Sequence, residues 1–168
     1  MDNQRVDCAT FSAVMKKNTV LLIALLSVTN YAFGQTPSEK LYQAVVRRDT
    51  AGVRQALGSQ ADPNYVKATG PWMKASVLTT AVNNRDVAVV KMLLARHADV
   101  NWKDGFKTTP LMYAAALGNK ELVVTLLEAG ADVSASDGTG NTVLSAAEES
   151  KNKEVIQLIQ AKLGKHDK

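Results

Sequence analysis

What most constrains this chain is self-similarity at one fixed offset. When LLARHADVN (93 to 101) is set above LLEAGADVS (126 to 134), Leu93, Leu94, Ala98, Asp99 and Val100 recur as Leu126, Leu127, Ala131, Asp132 and Val133, each displaced by 33. The same offset relates Leu78, Leu111 and Leu144, then Ala81, Ala114 and Ala147, then Val89-Val90, Leu122-Val123 and Val155-Ile156. Such a period marks a stacked array, in which no unit buries its apolar face alone and neighbours complete one core. A weaker copy (Leu41, Ala44, Val53, Ala56, Leu57 and ADPN at 61 to 64) precedes the second unit by 37. Four extra residues therefore lie between units one and two.

Each unit reads as two short helices. Thr109-Pro110-Leu111 opens the first helix of unit three, with a threonine to cap free N–H groups and a proline where its missing donor costs nothing. Ser76-Val77-Leu78 and Thr142-Val143-Leu144 repeat the cap. In the second helix Val89, Val90, Leu93 and Leu94 form a stripe toward the neighbouring unit. Gly130 ends that helix in unit three, and His97 holds the same place in unit two, where histidine tolerates positive φ.

GFKTTPLMYAAALGNKELVVTLLEAGADV (105 to 133), with its TPL, its alanine pair, its LG turn and its LLEAGADV, closely resembles the ankyrin repeat. The resemblance covers Pro37 to about Leu163. It implies an all-α solenoid of four helix-turn-helix units (about 37–70, 71–103, 104–136 and 137–168) joined by β-hairpin-like loops. Departures stand at Met112, where the family usually has histidine, at Lys107 in place of the hairpin glycine, and at Arg85 and Lys151 in place of the glycine between helices. Terminal units need a polar outer face. Arg47, Arg48, Asp49, Arg54, Gln55 and Gln60 supply it in unit one, and Lys153, Gln157, Gln160 and Lys162 in unit four, which makes the array complete at four units, with GKHDK a frayed tail.

Ahead of the array, Lys16 and Lys17 precede the apolar run TVLLIALLSV, and Ala32-Phe33-Gly34 presents small residues for a cut before Gln35. Residues 1–34 are expected to be a signal peptide, of which 1–14 are not translated if synthesis starts at Met15. The mature chain is then periplasmic, in a bacterium, or secreted. Ser27, Thr29 and Asn30 interrupt the run before it reaches the roughly 20 residues of a membrane span, so no membrane insertion follows cleavage. Cys8 lies within the removed segment, so the mature chain has no disulfide and no cysteine-based zinc site. Removing Arg5, Lys16 and Lys17 from 20 basic residues, and Asp2 and Asp7 from 16 acidic ones, leaves a net charge of +3. That is too mild to imply nucleic acid.

Catalytic parts are scarce. His97 reads as a helix cap and His166 lies in the tail, neither with a partner at metal-ligand spacing. Asp62, Asp99 and Asp132 recur in successive units, as turn-closing residues do and catalytic ones do not. Glu148-Glu149 reads as a solvated face, and SDGTGN (136 to 141) as hairpin turn chemistry. Neither an enzyme, a cofactor nor a metal site is expected.

Aromatics cluster instead around the connections. NWKDGFKTTPL (101 to 111) carries Trp102 and Phe106 about an Asp-Gly turn, each followed by a lysine, Lys103 and Lys107. Tyr65 occupies the repeat position of Trp102, and Trp72 and Tyr113 lie nearby with Lys67 and Lys74. In ankyrin-like proteins the hairpin tips and the exposed side of the first helix form the concave surface that grips other proteins. The resemblance therefore implies that these nine residues bind a protein partner, and the lysines favour one with an acidic patch. Aromatic residues on rigid turns offer large contact area at little entropic cost. The expected role is a monomeric exported module that inhibits or supports an exported enzyme. A cell-wall glycan or other carbohydrate stacked on Trp72, Trp102 and Phe106 is the alternative.

Overall fold

The computed structural model describes residues 36–68 and 70–166, with the side chains of Lys165 and His166 excepted. The expected signal peptide and the expected cut before Gln35 lie outside the described residues. From Thr36 onward the chain forms one compact unit. Helices pair as α1 (Pro37–Val46) with α2 (Thr50–Gly58), α3 (Val77–Asn83) with α4 (Val87–Leu94), α5 (Pro110–Ala116) with α6 (Lys120–Glu128), and α7 (Val143–Glu149) with α8 (Lys153–His166). The first helices stack in the order α1, α3, α5, α7 and the second in the order α2, α4, α6, α8, giving two layers. This is the mostly helical repeat solenoid that the 33-residue period demands.

The core lies between the layers and is built from the periodic residues. Leu41, Leu78 and Leu111 are buried on the first helices, as are Val53, Val90, Val123, Leu93 and Leu126 on the second. The caps fall where the sequence places them: Ser76, Thr109 and Thr142 accept from the backbone N–H groups of Thr79, Met112 and Ser145. All ten polar residues assigned to the outer faces of units one and four are exposed.

The departures from glycine leave the turns intact. Arg48, Arg85, Gly118 and Lys151, equivalent in the four units, have φ of 56, 57, 62 and 57°. Gln60, His97 and Gly130 have φ of 60, 62 and 88°, and Lys107 at 63° matches Gly140 at 93°. Each bend is fixed by packing on both sides, so a side chain is carried into the left-handed region rather than the bend being lost.

The fold differs from the sequence reading at two places. The four extra residues between units one and two convert a hairpin-like loop into a true antiparallel ladder, β1 (Val66–Ala68) with β2 (Lys74–Ser76), pairing Val66 with Ser76 and Ala68 with Lys74. The expected frayed tail is instead helical as far as His166, α8 running on past the point at which α4 and α6 stop.

Side-chain amides tie one unit to the next. Asn64 accepts from the Asp99 N–H at 2.7 Å and donates to the His97 carbonyl at 3.3 Å. Asn101 repeats both bonds one unit later, to the Asp132 N–H at 2.8 Å and the Gly130 carbonyl at 3.2 Å. Asp62, Asp99 and Asp132 do close turns: each Oδ1 accepts the N–H two residues on, at 2.8 to 2.9 Å.

Candidate functional site

The hairpin connections and the first helices border two hollows that adjoin at Tyr113 and together form a trough. Its larger part, about 320 Å³, is lined by Tyr42 of α1, by Lys67, Trp72, Met73, Lys74 and Ala75 of the β1–β2 hairpin, by Asp104 and Phe106 of the next connection, and by Tyr113 of α5. A narrower part, about 180 Å³, continues beyond Tyr113 between units three and four. Tyr113 lines both parts.

The exposed wall owes its shape to a close approach of two hairpins. A side chain at Gly105 would collide with the Trp72 carbonyl oxygen, so glycine is required there for the tips to meet. That contact sets Trp72, Met73 and Phe106 side by side, with 68, 65 and 63% of their surface exposed. The Trp72 and Phe106 rings stack on no other ring: among the described residues the one ring pair is Tyr42–Tyr65, edge-on at 6.2 Å.

Asp104 organises the tip of unit three. Its Oδ1 accepts from the Phe106 and Thr108 N–H groups at 2.8 and 2.9 Å, and its Oδ2 from the Tyr113 hydroxyl at 2.6 Å. Burial, together with the adjacent carboxylate, pushes the Tyr113 phenol up to about 12. In the last hairpin Asp137 plays the part of Asp104. Partial desolvation acts to raise its carboxyl, but the hydroxyl and N–H of Thr139 and the amide and N–H of Asn141 outweigh it and bring it down to about 2.

Tyr65 and Lys67 converge on Glu39, the phenol at 3.2 Å and the ammonium at 2.6 Å. Those two bonds hold the Glu39 carboxyl below its usual range; burial and the carboxylate raise the Tyr65 phenol, and the same carboxylate raises Lys67. Tyr65 thus fastens the hairpin to α1 rather than standing free. Lys74, Lys103 and Lys107 are exposed and, among the described residues, have no carboxylate within 4.0 Å.

Of the nine residues singled out in the sequence, Lys67, Trp72, Lys74, Phe106 and Tyr113 line the larger part of the trough. Trp102 and Lys103 do not. The Trp102 N–H closes the turn begun by Asp99, at 3.4 Å, and the residue is half-buried. Lys107 runs instead past Gly138 of the following hairpin. Tyr42, Met73 and Asp104 escaped the sequence reading: Tyr42 sits in the weakest repeat, Met73 in the aperiodic insertion, and Asp104 read as ordinary turn chemistry.

Among the described residues no cluster of three or more histidine, cysteine or carboxylate groups is placed to hold a metal ion, and no helix is long and apolar enough to cross a membrane.

The family model for ankyrin repeats (3 copies) matches residues 41–137 and 78–167. The chain belongs to the ankyrin-repeat family. Ankyrin repeats are general protein–protein interaction modules, and the fold is a binding scaffold rather than a catalytic one. A putative E3 ubiquitin-protein ligase of Arabidopsis thaliana, XBAT31, is 29% identical over 93 residues, 55% of this chain and 20% of that protein. A probable E3 ubiquitin-protein ligase of Oryza sativa subsp. japonica, XBOS31, is 40% identical over 67 residues, 40% of this chain and 15% of that protein. The chain thus spans a fifth or less of the length of these two relatives.

Proposed function

We propose that this ankyrin-repeat protein is an exported, non-catalytic binding module that holds a partner protein in the trough beside Tyr113, and so inhibits or supports an exported enzyme. The observation that carries the reading is the triplet of exposed apolar side chains, Trp72, Met73 and Phe106, fixed side by side on two hairpins in contact. Large apolar groups held on rigid turns are what binding hot spots require, and on a monomer their joint exposure marks a surface made to be covered. Lys74, Lys103 and Lys107, which have no counter-charge among the described residues, favour an acidic patch around the point of contact.

The charged and apolar pattern of residues 16 to 34 supports export. A carbohydrate partner is less well supported. Sugars need uncommitted polar acceptors beside the stacking rings, whereas both oxygens of Asp104, the carboxylate that lines this part of the trough, are taken by Phe106, Thr108 and Tyr113. From the two plant relatives we take the repeat and not the ligase reaction, given how little of their length is shared.

The test is capture from an envelope extract of the source organism, with wild type compared with a folded Trp72→Ala, Phe106→Ala variant. One protein retained by wild type and lost from the variant is the expected result. Equal retention by both would remove the trough from consideration. Amino-terminal sequencing of the protein recovered from that fraction should begin at Gln35.

A further inference from the structure

The narrower part of the trough has a chemistry of its own. Its floor is apolar, from Met112 and Ala116 of unit three and Ala146 of α7, and the Tyr113 ring stands between it and the larger part. The donors along it are already engaged: the Thr108 N–H and the Tyr113 hydroxyl on Asp104, and the Asn141 amide on Asp137 and Thr139. What remains for a ligand is acceptor or negative charge, namely Asn141 Oδ1 and the exposed Glu149 carboxylate, while the ionised Asp137, its oxygens held by Thr139 and Asn141, adds charge alone. Among the described residues no basic side chain lines it, and Glu149 has no cation within 4.0 Å.

Resting on the reading of the trough as the partner site, we infer that the bound protein segment carries an arginine whose side chain enters between Tyr113 and Glu149 while its apolar residues cover Trp72, Met73 and Phe106. A volume of about 180 Å³ suits one long side chain. The methylenes of arginine lie on the alanine and methionine floor, and its guanidinium, a donor-only cation, meets acceptors alone. Arginine is preferred to lysine because its planar fork engages a carboxylate through two bonds and packs against the face of a phenol. The partner is therefore mixed in charge: acidic where it meets Lys74 and basic one unit further along.

A phage-displayed library of random dodecapeptides panned on the full chain tests this. Phe106→Ala identifies which selected peptides use the trough. Among these, the expected result is an arginine at constant spacing from an apolar anchor, with affinity falling on the order of tenfold in Glu149→Gln and again when that arginine is replaced by citrulline, its neutral isostere. The two losses should not add, because each removes the same pair. Peptides sensitive to Phe106→Ala but indifferent to Glu149→Gln, or lacking arginine, overturn this inference and leave the trough in place. If no selected peptide responds to Phe106→Ala, the trough reading falls and this inference with it.

Discussion

The Tyr113 hydroxyl donates a 2.6 Å hydrogen bond to Asp104 Oδ2, tying the first helix of unit three to the tip of the hairpin that precedes it. Because the same carboxylate holds the Phe106 N–H, the bond also fixes the exposed ring of the trough. Tyr113→Phe should lower stability by about 1 kcal/mol, the usual value of one such bond at a half-buried site. The phenol is raised above its free value of 10.0 to about 12, so the neutral form is the one stabilised in the fold. Its contribution is complete below pH 10 and is lost as pH rises through 12. Thermal melts at increasing pH should show that alkaline loss in wild type and a shallower one in the variant.

Asn101 makes two bonds to the unit that follows it, to the Asp132 N–H and the Gly130 carbonyl. Replacing it by alanine frees a backbone donor and a backbone acceptor at one inter-unit seam, and should cost about 1 to 2 kcal/mol in urea unfolding. Glutamine in its place, one methylene too long for both bonds at once, should recover less than half of that. A loss below about 0.3 kcal/mol would mean that the seam is held by apolar packing alone.

The stacked helices were easy to read, since the units share leucines, caps and left-handed turns, and a requirement repeated at offset 33 shows in the sequence. The trough was harder. Whether Phe106 stands exposed depends on Gly105 meeting the Trp72 carbonyl, a contact between the end of an insertion and the next hairpin that leaves no periodic trace. Tyr65 and Trp102 share a repeat position yet differ in surroundings, because Glu39 and Tyr42 of α1 are there to receive only the first. Sequence periodicity reports what all units have in common, and binding surfaces are made from what they do not.

Arg85 and Lys151 occupy the left-handed turn between helices at φ of 57°, where unit three has Gly118. An L-residue there carries about 1 kcal/mol of backbone strain, partly offset because glycine loses more freedom on folding. Arg85→Gly and Lys151→Gly should each raise stability by about 0.5 kcal/mol. The reverse exchange, Gly118→Ala, should lower it by about 1 kcal/mol or more, as its new Cβ would also sit 3.2 Å from that of Ser150. Opposite signs at equivalent positions, read from denaturation midpoints, are what the shared geometry requires.

Leu126 is fully buried in the stripe of α6. Leu126→Ala should cost about 2 to 5 kcal/mol through lost burial and the cavity left behind. In a stacked array the damage need not stay local, because each unit is stabilised mainly by its neighbours. The variant should therefore lose hydrogen-exchange protection in α8 as well as in α6, while α1 and α2 keep more of theirs. Uniform loss along the chain would show that the four units unfold as one.

The last hairpin should report on acid. Four bonds from Thr139 and Asn141 hold the Asp137 carboxylate at about 2 in the fold, against 3.8 for a free side chain. A depressed carboxyl stabilises the folded state while it is ionised, so its contribution is complete above pH 3.8 and disappears as pH falls through 2. Asp137→Asn removes the titrating group but keeps one acceptor. It should be less stable than wild type at neutral pH, and the difference should shrink steadily across that acid window, as followed by melting temperature. A gap between the two proteins that stays constant from neutral pH down to 2 would show that Asp137 acts through shape alone, and that its charge gives the narrow part of the trough no bias toward a cation.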